Sequence, residues 1–417
     1  MLLQKVGENA PVDMVVQKVY SQANAALTTT HLNSFEMLGY SSVYRALVFC
    51  SVTLELVTSQ EIYDIYFDGS VVEMHFGSPA QIIFAFPSTN TDVIFVVDVN
   101  CGQVNSTDCS RYCHSHGFRE IYCPAKCQEF DDTKICKQPI DDTSHTRYNP
   151  INSSTFSSDG QFWKGNLEIH SEQIGLWSRD QILLPSADSD NTLTMKLDNW
   201  QFVDGVNLDS GLISSVDAFL GLGPGNSNFV SLLYKKKQIP KPVISIATME
   251  YRMTVGDFNH KFCPTWLYRK AASPNWLINL DSATFMKRQW NSDVMVTFNL
   301  ISRNLFIPDD QFDYLLQTGV LSTYVSKYYR VRCDANFDLK FTLDGNELLI
   351  PSSVLIDGSP FDTKCYTSVL PIRDWYPGKR LYKDEANWVL GLSFLDNFCI
   401  GYNYETQELG ISSYIES

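Results

Sequence analysis

The sequence predicts a mostly β protein built as two lobes, and three observations carry that expectation. At 417 residues the chain is longer than one compact core usually takes, so two lobes of roughly 200 residues each are expected. An apolar content of 44% with 13% aromatic residues supplies ample core, and the runs of Tyr, Phe, Val, Ile and Thr broken by turn residues favour strands. The third observation is the stretch from Val71 to Val97, which reads as strand, turn, strand, polar elbow, strand. Val71 to Phe76 alternates apolar and polar residues and stops at Gly77-Ser78-Pro79-Ala80, a turn composition. Ile82 to Phe86 is continuous apolar sequence of buried-strand length, and after Ser88-Thr89-Asn90-Thr91-Asp92 comes a further apolar run, Val93 to Val97.

Charge and hydropathy narrow the function classes. A formal net charge of −15 argues against nucleic acid, because no basic stripe can neutralise phosphates. Lys235-Lys236-Lys237 is one short cluster, expected as a solvated helix end. No apolar run reaches the ~20 residues of a membrane span.

The spacing of the central stretch resembles the first lobe of the pepsin-like aspartic peptidases, where G-T-P-x-Q, a strand, D-T/S-G-S/T and an apolar strand follow in order. Gly77-Ser78-Pro79-Ala80-Gln81 is similar to the first of these elements. Counting on without a gap places the family's D-T-G-S on Ser88-Thr89-Asn90-Thr91, of which only the threonine is kept. The resemblance therefore puts Ser88 where the family has a catalytic aspartate, and Asn90 where it has the glycine of a tight elbow. Asn tolerates left-handed geometry better than most residues.

A second copy fits the same register. Val294 to Phe298 is strand-like and leads into Asn299-Leu300-Ile301-Ser302, then an apolar run to Pro308. The resemblance places the second catalytic position on Asn299. It also puts Ile301 where the family has glycine, and a β-branched residue in a φ > 0 elbow would be strained, so the turn is expected to be rebuilt.

The chemical consequence is direct. Pepsin-type hydrolysis needs two carboxylates that share a proton, one acting as base and one as acid. A hydroxyl and a carboxamide do not titrate in that range, and general acid–base help typically contributes ~10²–10⁴ in rate. Two decoys have other readings. Asp209-Ser210-Gly211 satisfies D-S-G but lacks the following apolar strand and is expected as a simple turn. Asp92 would need a register shift that turns its neighbours to the opposite face, and is expected as an elbow or surface acid.

In chain order, residues 1–36 are polar and without an assigned role. Met37 to Arg45, Ala46 to Leu54 and Val57-Thr58-Ser59 have the layout of a signal peptide over 37–59, displaced from the chain start; a buried first strand or helix is the other reading. Active relatives usually carry a basic propeptide, and Gln60 to Gly69 leaves no room for one. Mature sequence is expected as a lobe over 60–248 and a second over 249–417, in a secreted, extracellular or endolysosomal setting.

Cysteine usage agrees with export. Of eleven cysteines, Cys50 falls in the signal-like stretch, which leaves an even number. Cys101, Cys109, Cys113, Cys123, Cys127 and Cys136 crowd into one insertion. Their spacing departs from the usual zinc pairing, so three disulfides are favoured over a metal site. Asn105 and Asn152 head glycosylation sequons.

The family resemblance resumes at Tyr148-Asn149-Pro150 and Ser153-Ser154-Thr155-Phe156, which lead towards the flap. Trp163 to His170 occupies the flap region, with the family's tyrosine position falling on Leu167 or Glu168. Glu168 could replace an acid, although an exposed hairpin carboxylate is more often just solvated. Val216 to Gly223 is similar to the lobe-closing F-D-G-I-L-G-L, in which glycine allows two backbones to cross. A helix over Phe229 to Lys236 and a strand over Val243 to Ala247 follow.

In the second lobe, Trp276 to Ser282 is similar to the strand before the second elbow, and Asp309 to Gln317 reads as a capped helix. Phe341 to Gly345 resembles a strand inside the family's C-terminal disulfide loop, which implies a Cys333–Cys365 bond. Cys263 and Cys399 then pair by elimination and by analogy with some relatives. Trp388 to Leu395 repeats the closing motif.

The resemblance spans about residues 70 to 414. It implies a bilobal pepsin-like fold with a cleft, no intact catalytic pair, no metal and no cofactor. A monomer that binds a peptide or protein is expected. An unorthodox active endopeptidase, or a structural or storage protein with a closed cleft, are the alternatives.

Overall fold

The computed structural model describes residues 60–415 apart from 69, 100–145, 168–171, 189–193, 208–216, 226, 274–275, 287, 292–293, 326–327, 359–364 and 376–385. The extension over 1–36, the signal-like stretch over 37–59, the six clustered cysteines with Asn105, Asp209-Ser210-Gly211 and Glu168 therefore lie outside the described residues.

The first half is built from β1 (Tyr63–Asp68), β2 (Val71–Phe76), β3 (Gln81–Ser88), β4 (Phe95–Val97), β5 (Ser157–Asn166), β6 (Glu172–Leu184), β7 (Met195–Asn207) and β8 (Ala218–Gly221). Helix α1 (Phe229–Lys235) follows, capped by Asn228, whose side chain accepts from Ser231 N at 2.8 Å. Strands β9 (Val243–Ala247) and β10 (Arg252–Val255) complete this half. In β2 the alternation in the sequence becomes alternation in space, with Val72, Met74 and Phe76 fully buried. All five residues of β9 are buried, as expected for a strand with partners on both edges, and its one polar side chain, Ser245, is hydrogen-bonded to Asp257 O and Asn259 N.

A thirteen-stranded sheet joins the first and last described strands: β1 pairs with β10, and β9 pairs with β25 (Phe398–Asn403). Its far edge is formed by β26 (Glu408–Ser413) and β11 (Thr265–Lys270). The second half adds β12 (Ile278–Leu280), β13 (Ser282–Phe285), β14 (Arg288–Trp290), β15 (Val294–Phe298) and β16 (Leu305–Ile307). Helix α2 (Asp309–Gln317), β17 (Leu321–Val325), β18 (Tyr328–Val331), β19 (Leu339–Leu343) and β20 (Asn346–Ile350) come next. The half closes with β21 (Ile356–Asp357), β22 (Cys365–Thr367), β23 (Val369–Pro371) and β24 (Trp388–Leu390).

The two halves repeat one arrangement. β3 lies parallel to β8 while β4 runs antiparallel to β8, so β8 is held between the strands that flank the first elbow. β15 lies parallel to β24 and β16 antiparallel to it, so β24 fills the same place beside the second elbow. Glycine is required where each closing strand passes its elbow. A Cβ on Gly221 would fall 2.3 Å from Val93 O, and one on Gly391 would fall 2.2 Å from Asn304 O.

Several sequence expectations change in detail. The strand after the first elbow begins at Phe95 rather than Val93, because Val93 and the preceding loop pass against Gly221. Trp276 does not open a strand: its φ is 53° and β12 starts at Ile278. Asp344-Gly345 forms a turn with φ values of 49° and 77°, so the expected strand ends at Leu343 and continues as a hairpin. The N-cap of α2 is Pro308, which makes no side-chain cap, and the acids supply only first-turn charge. Cys333 is bonded to Cys365, and Cys263 to Cys399.

Candidate functional site

The two elbows are brought together by the fold. Thr89 Oγ1 donates to Phe298 O across the pair at 3.4 Å, so the tip of one elbow is tied to the base of the other. The corresponding position after Asn299 is Leu300, 2% exposed, which offers no return bond. The threonine kept at position 89 thus makes a one-sided bridge.

Ser88 is 2% exposed and Asn299 7%. Ser88 Oγ donates to Leu167 O at 3.1 Å and accepts from Asn90 N at 3.2 Å. Asn299 Oδ1 accepts from Ile301 N at 2.9 Å and Ser302 N at 3.1 Å. Both side chains do the same local work, holding the backbone two residues ahead in a turn as short polar side chains do. These bonds involve no carboxyl group.

Among the described residues, neither Asn90 nor Ile301 has a positive φ. The strain expected for Ile301 is therefore absent. The turn is shaped by the Asn299 side chain instead of by a left-handed residue.

The hairpin of β5 and β6 ends over the first elbow. Leu167, fully buried, belongs to an apolar cluster with Val93, Phe95 and Phe219, against which Phe86, Trp163 and Ile301 also pack. Ile301 comes from the second elbow, so the space beside Ser88 is occupied by hydrocarbon from both halves.

The Gly77–Gln81 turn, at the end of β3 opposite the first elbow, is held by two segments that the sequence shows only as separate motifs. Asn149 N donates to Gln81 Oε1 at 2.8 Å, and Gln81 Nε2 donates to Asn149 O at 3.0 Å. Ser78 N donates to Ser153 Oγ, and Ser154 N to Ser78 O. Gly77, at φ 79°, has no space for a Cβ beside Ser153. Asn152 of the sequon is exposed.

A polar cluster beneath this region is not anticipated from the sequence. Asp98, Asp180 and Asp204 are all buried around Tyr148. Asp180 is well satisfied, accepting from Tyr148 Oη at 2.6 Å, Thr155 Oγ1 at 2.5 Å and Gln181 N at 2.8 Å. Asp204 is fully buried, and neither of its oxygens meets an N–H or O–H donor. Burial, and then the neighbouring Asp98 carboxyl, raise its pKa well above the ordinary carboxylate range. Burial, followed by the Asp180 hydrogen bond, pushes the Tyr148 phenol up as well. An acid inside an otherwise apolar run, as in Phe95-Val96-Val97-Asp98 and Phe202-Val203-Asp204, is the sequence signal that could have found this cluster.

Asp92 lies partly buried against Gly225, where a Cβ would meet its carboxylate at 2.1 Å, and it takes no part in the paired elbows. Lys235, Lys236 and Lys237 are exposed at the end of α1. Among the described residues no group of His, Cys, Asp and Glu is arranged to hold a metal ion, and no helix is long and apolar enough to cross a membrane.

Paired elbows, each carrying a closing strand with its crossing glycine, are the architecture of a bilobal aspartic-peptidase fold. The family model described as eukaryotic aspartyl protease matches residues 95–414, and the chain belongs to that family. The match begins beyond the first elbow. No curated protein matches the chain.

Proposed function

We propose that this chain is a non-catalytic member of the eukaryotic aspartyl protease family that acts by binding a peptide or protein. One observation carries the reading. The side chains at the two equivalent elbow positions, Ser88 and Asn299, are a hydroxyl and a carboxamide, both buried and both engaged with backbone. Neither group can exchange a proton in the range that carboxylate-pair hydrolysis requires. The lobes are taken as 60–248 and 249–417, preceded by a signal peptide over 37–59 and an extension over 1–36. Export as a monomer, with glycans on Asn105 and Asn152 and disulfides within the clustered cysteines, belongs to the same proposal.

A second reading is a structural or storage protein with a closed cleft. It is favoured by the bond from Ser88 to Leu167 and by the packing of Leu167 and Ile301 beside it. An active endopeptidase with unorthodox residues is the remaining alternative.

The experiment incubates the secreted chain with a diverse peptide library from acid to neutral pH and reads products and retained peptides by mass spectrometry. A Ser88→Asp/Asn299→Asp variant runs alongside. Retained peptides without products are expected. Acid-dependent cleavage by the unaltered chain that a statine-type inhibitor abolishes would sink the non-catalytic reading. Capture of nothing would favour the closed-cleft protein.

A further inference from the structure

A groove on the second half of the molecule, away from both elbows, has the chemistry of a docking site. Its volume is about 540 Å³, and one wall is β20, which presents Glu347 and Leu349. Met249, Glu250, Asp396 and Ile415 stand among the residues opposite. Three of the lining side chains are carboxylates and none is a lysine or arginine.

Two features distinguish this groove from an ordinary surface depression. The first is the strand itself. β20 ends the four-stranded sheet β14-β13-β19-β20 and pairs only with β19 among the described strands. An unpaired strand edge is a template for another strand, and soluble proteins usually blunt it with lysine, proline or a bulge. None of these lies within Asn346–Ile350. The second is exposed hydrocarbon on both walls: Leu349 is 43% exposed, Met249 57% and Ile415 53%. These apolar groups sit beside Glu250, Glu347 and Asp396, so the groove alternates apolar and anionic character.

The existing ion pairs leave that negative field available. Glu347 meets Lys340 at 3.2 Å and Asp396 meets Arg303 at 2.8 Å, both at the surface. Pairs of this kind typically contribute ~0–1 kcal/mol and exchange partners readily. Among the described residues no ion pair engages Glu250, and it lies exposed on the opposite wall.

We infer that the free edge of β20 takes an extended segment of a partner protein in which every second residue faces the groove and those groove-facing residues are in turn basic and apolar, matching Glu347 and Leu349 on one face of β20. The segment adds as a further strand, its backbone pairing with Asn346–Ile350. Its apolar side chains rest on Met249, Leu349 and Ile415, while its basic ones face the three carboxylates. Strand addition draws affinity from backbone hydrogen bonds and specificity from alternate side chains. The inference is independent of the elbow chemistry, since no residue of either elbow lines the groove.

The test uses the full chain and a short fluorescent lysine–valine peptide, in which lysine and valine take turns at every second position with threonine between them, read by anisotropy together with amide hydrogen exchange. Controls are a glutamate–valine peptide and a lysine–valine peptide with N-methylated backbone. The expected result is binding of the lysine–valine peptide with slowed exchange at residues 346–350, and weakening by about tenfold or more for both controls. A Glu250→Lys/Glu347→Lys variant, changed at two exposed positions, is expected to lose the lysine–valine peptide by a similar factor and to gain the glutamate–valine one. No binding, equal binding by this variant, or protection elsewhere overturns the inference. So does concentration-dependent self-association that protects 346–350 without peptide, which would make a second copy the occupant. Library cleavage by the unaltered chain would overturn the non-catalytic proposal and leave this result standing.

Discussion

The Ser88 hydroxyl donates to the Leu167 carbonyl at 3.1 Å, linking the tip of the first elbow to the hairpin above it across 79 positions of sequence. The bond is buried, so its loss leaves the Leu167 carbonyl without this donor in a desolvated setting. Ser88→Ala is expected to cost ~1–3 kcal/mol in chemical denaturation. Ser88→Asp sets a carboxyl against the same oxygen, where only its protonated form can donate. Its folded pKa is therefore raised above the unfolded value. Stability of this variant should be near the parent in acid and fall as pH rises through the folded pKa. Parallel loss at all pH values would contradict the bond.

Asp204 carries a second pH dependence, present in the unaltered chain. Its folded pKa lies above the ordinary value because burial and the Asp98 carboxyl both oppose its charge. The folded state therefore holds a proton that the unfolded state has released. The contribution to stability is full below the unfolded carboxylate pKa and is lost as pH rises through the folded one. Asp98 lies on β4's continuation, and Tyr148 and Asp180 are the other titratable groups gathered with it. Asp204→Asn keeps the size of the side chain and removes the titration. Thermal melts should show a gain of ~1–3 kcal/mol at neutral pH and little change in acid. An unchanged pH profile in the variant would show that other groups govern it.

Gly221 and Gly391 should be intolerant of even one methyl group. Each Cβ would lie within 2.3 Å of a backbone oxygen of its own elbow, and backbone cannot move aside as a side chain can. Either change to Ala is expected to cost ~3 kcal/mol or more, the upper end of overpacking effects. Gly319, which has nothing within 4 Å of its added Cβ, serves as a control for space but not for backbone, because its φ is 74°. Urea midpoints of the three alanine variants test the ranking, with Gly319→Ala the mildest.

The parts of this fold that were legible in sequence are those specified by local pattern. Val71–Phe76, Val243–Ala247 and Val294–Phe298 form strands at the expected bounds, because alternation or β-branched content sets them without a distant partner. Asp309–Gln317 is a helix over the expected residues as well. The positions of the paired elbows followed from the family resemblance. Other features depend on contacts that no local window contains. The raised pKa of Asp204 depends on burial by the packed sheet and on Asp98 from another strand, and the relaxed backbone at Ile301 needs the Asn299 carboxamide folded back on it. The one-sided bridge from Thr89 was half visible, since the threonine was seen to be kept but its acceptor lies 209 residues away.

The pairing of β1 with β10 has a consequence for synthesis in the cell. Tyr63 lies opposite Val255, so the opening strand of the folded body has its neighbour on the central sheet made only much later. At typical ribosomal speeds the interval is roughly 10–40 s. During that time β1 can pair with β2, through Phe67 and Asp68, and with the Pro185–Ala187 segment through Ile65 and Ser186, but its β10 edge has no partner. The nascent first half must therefore wait with the β10-facing edge of Tyr63 to Tyr66 open, an interval in which a chaperone would have its clearest opportunity to engage this chain.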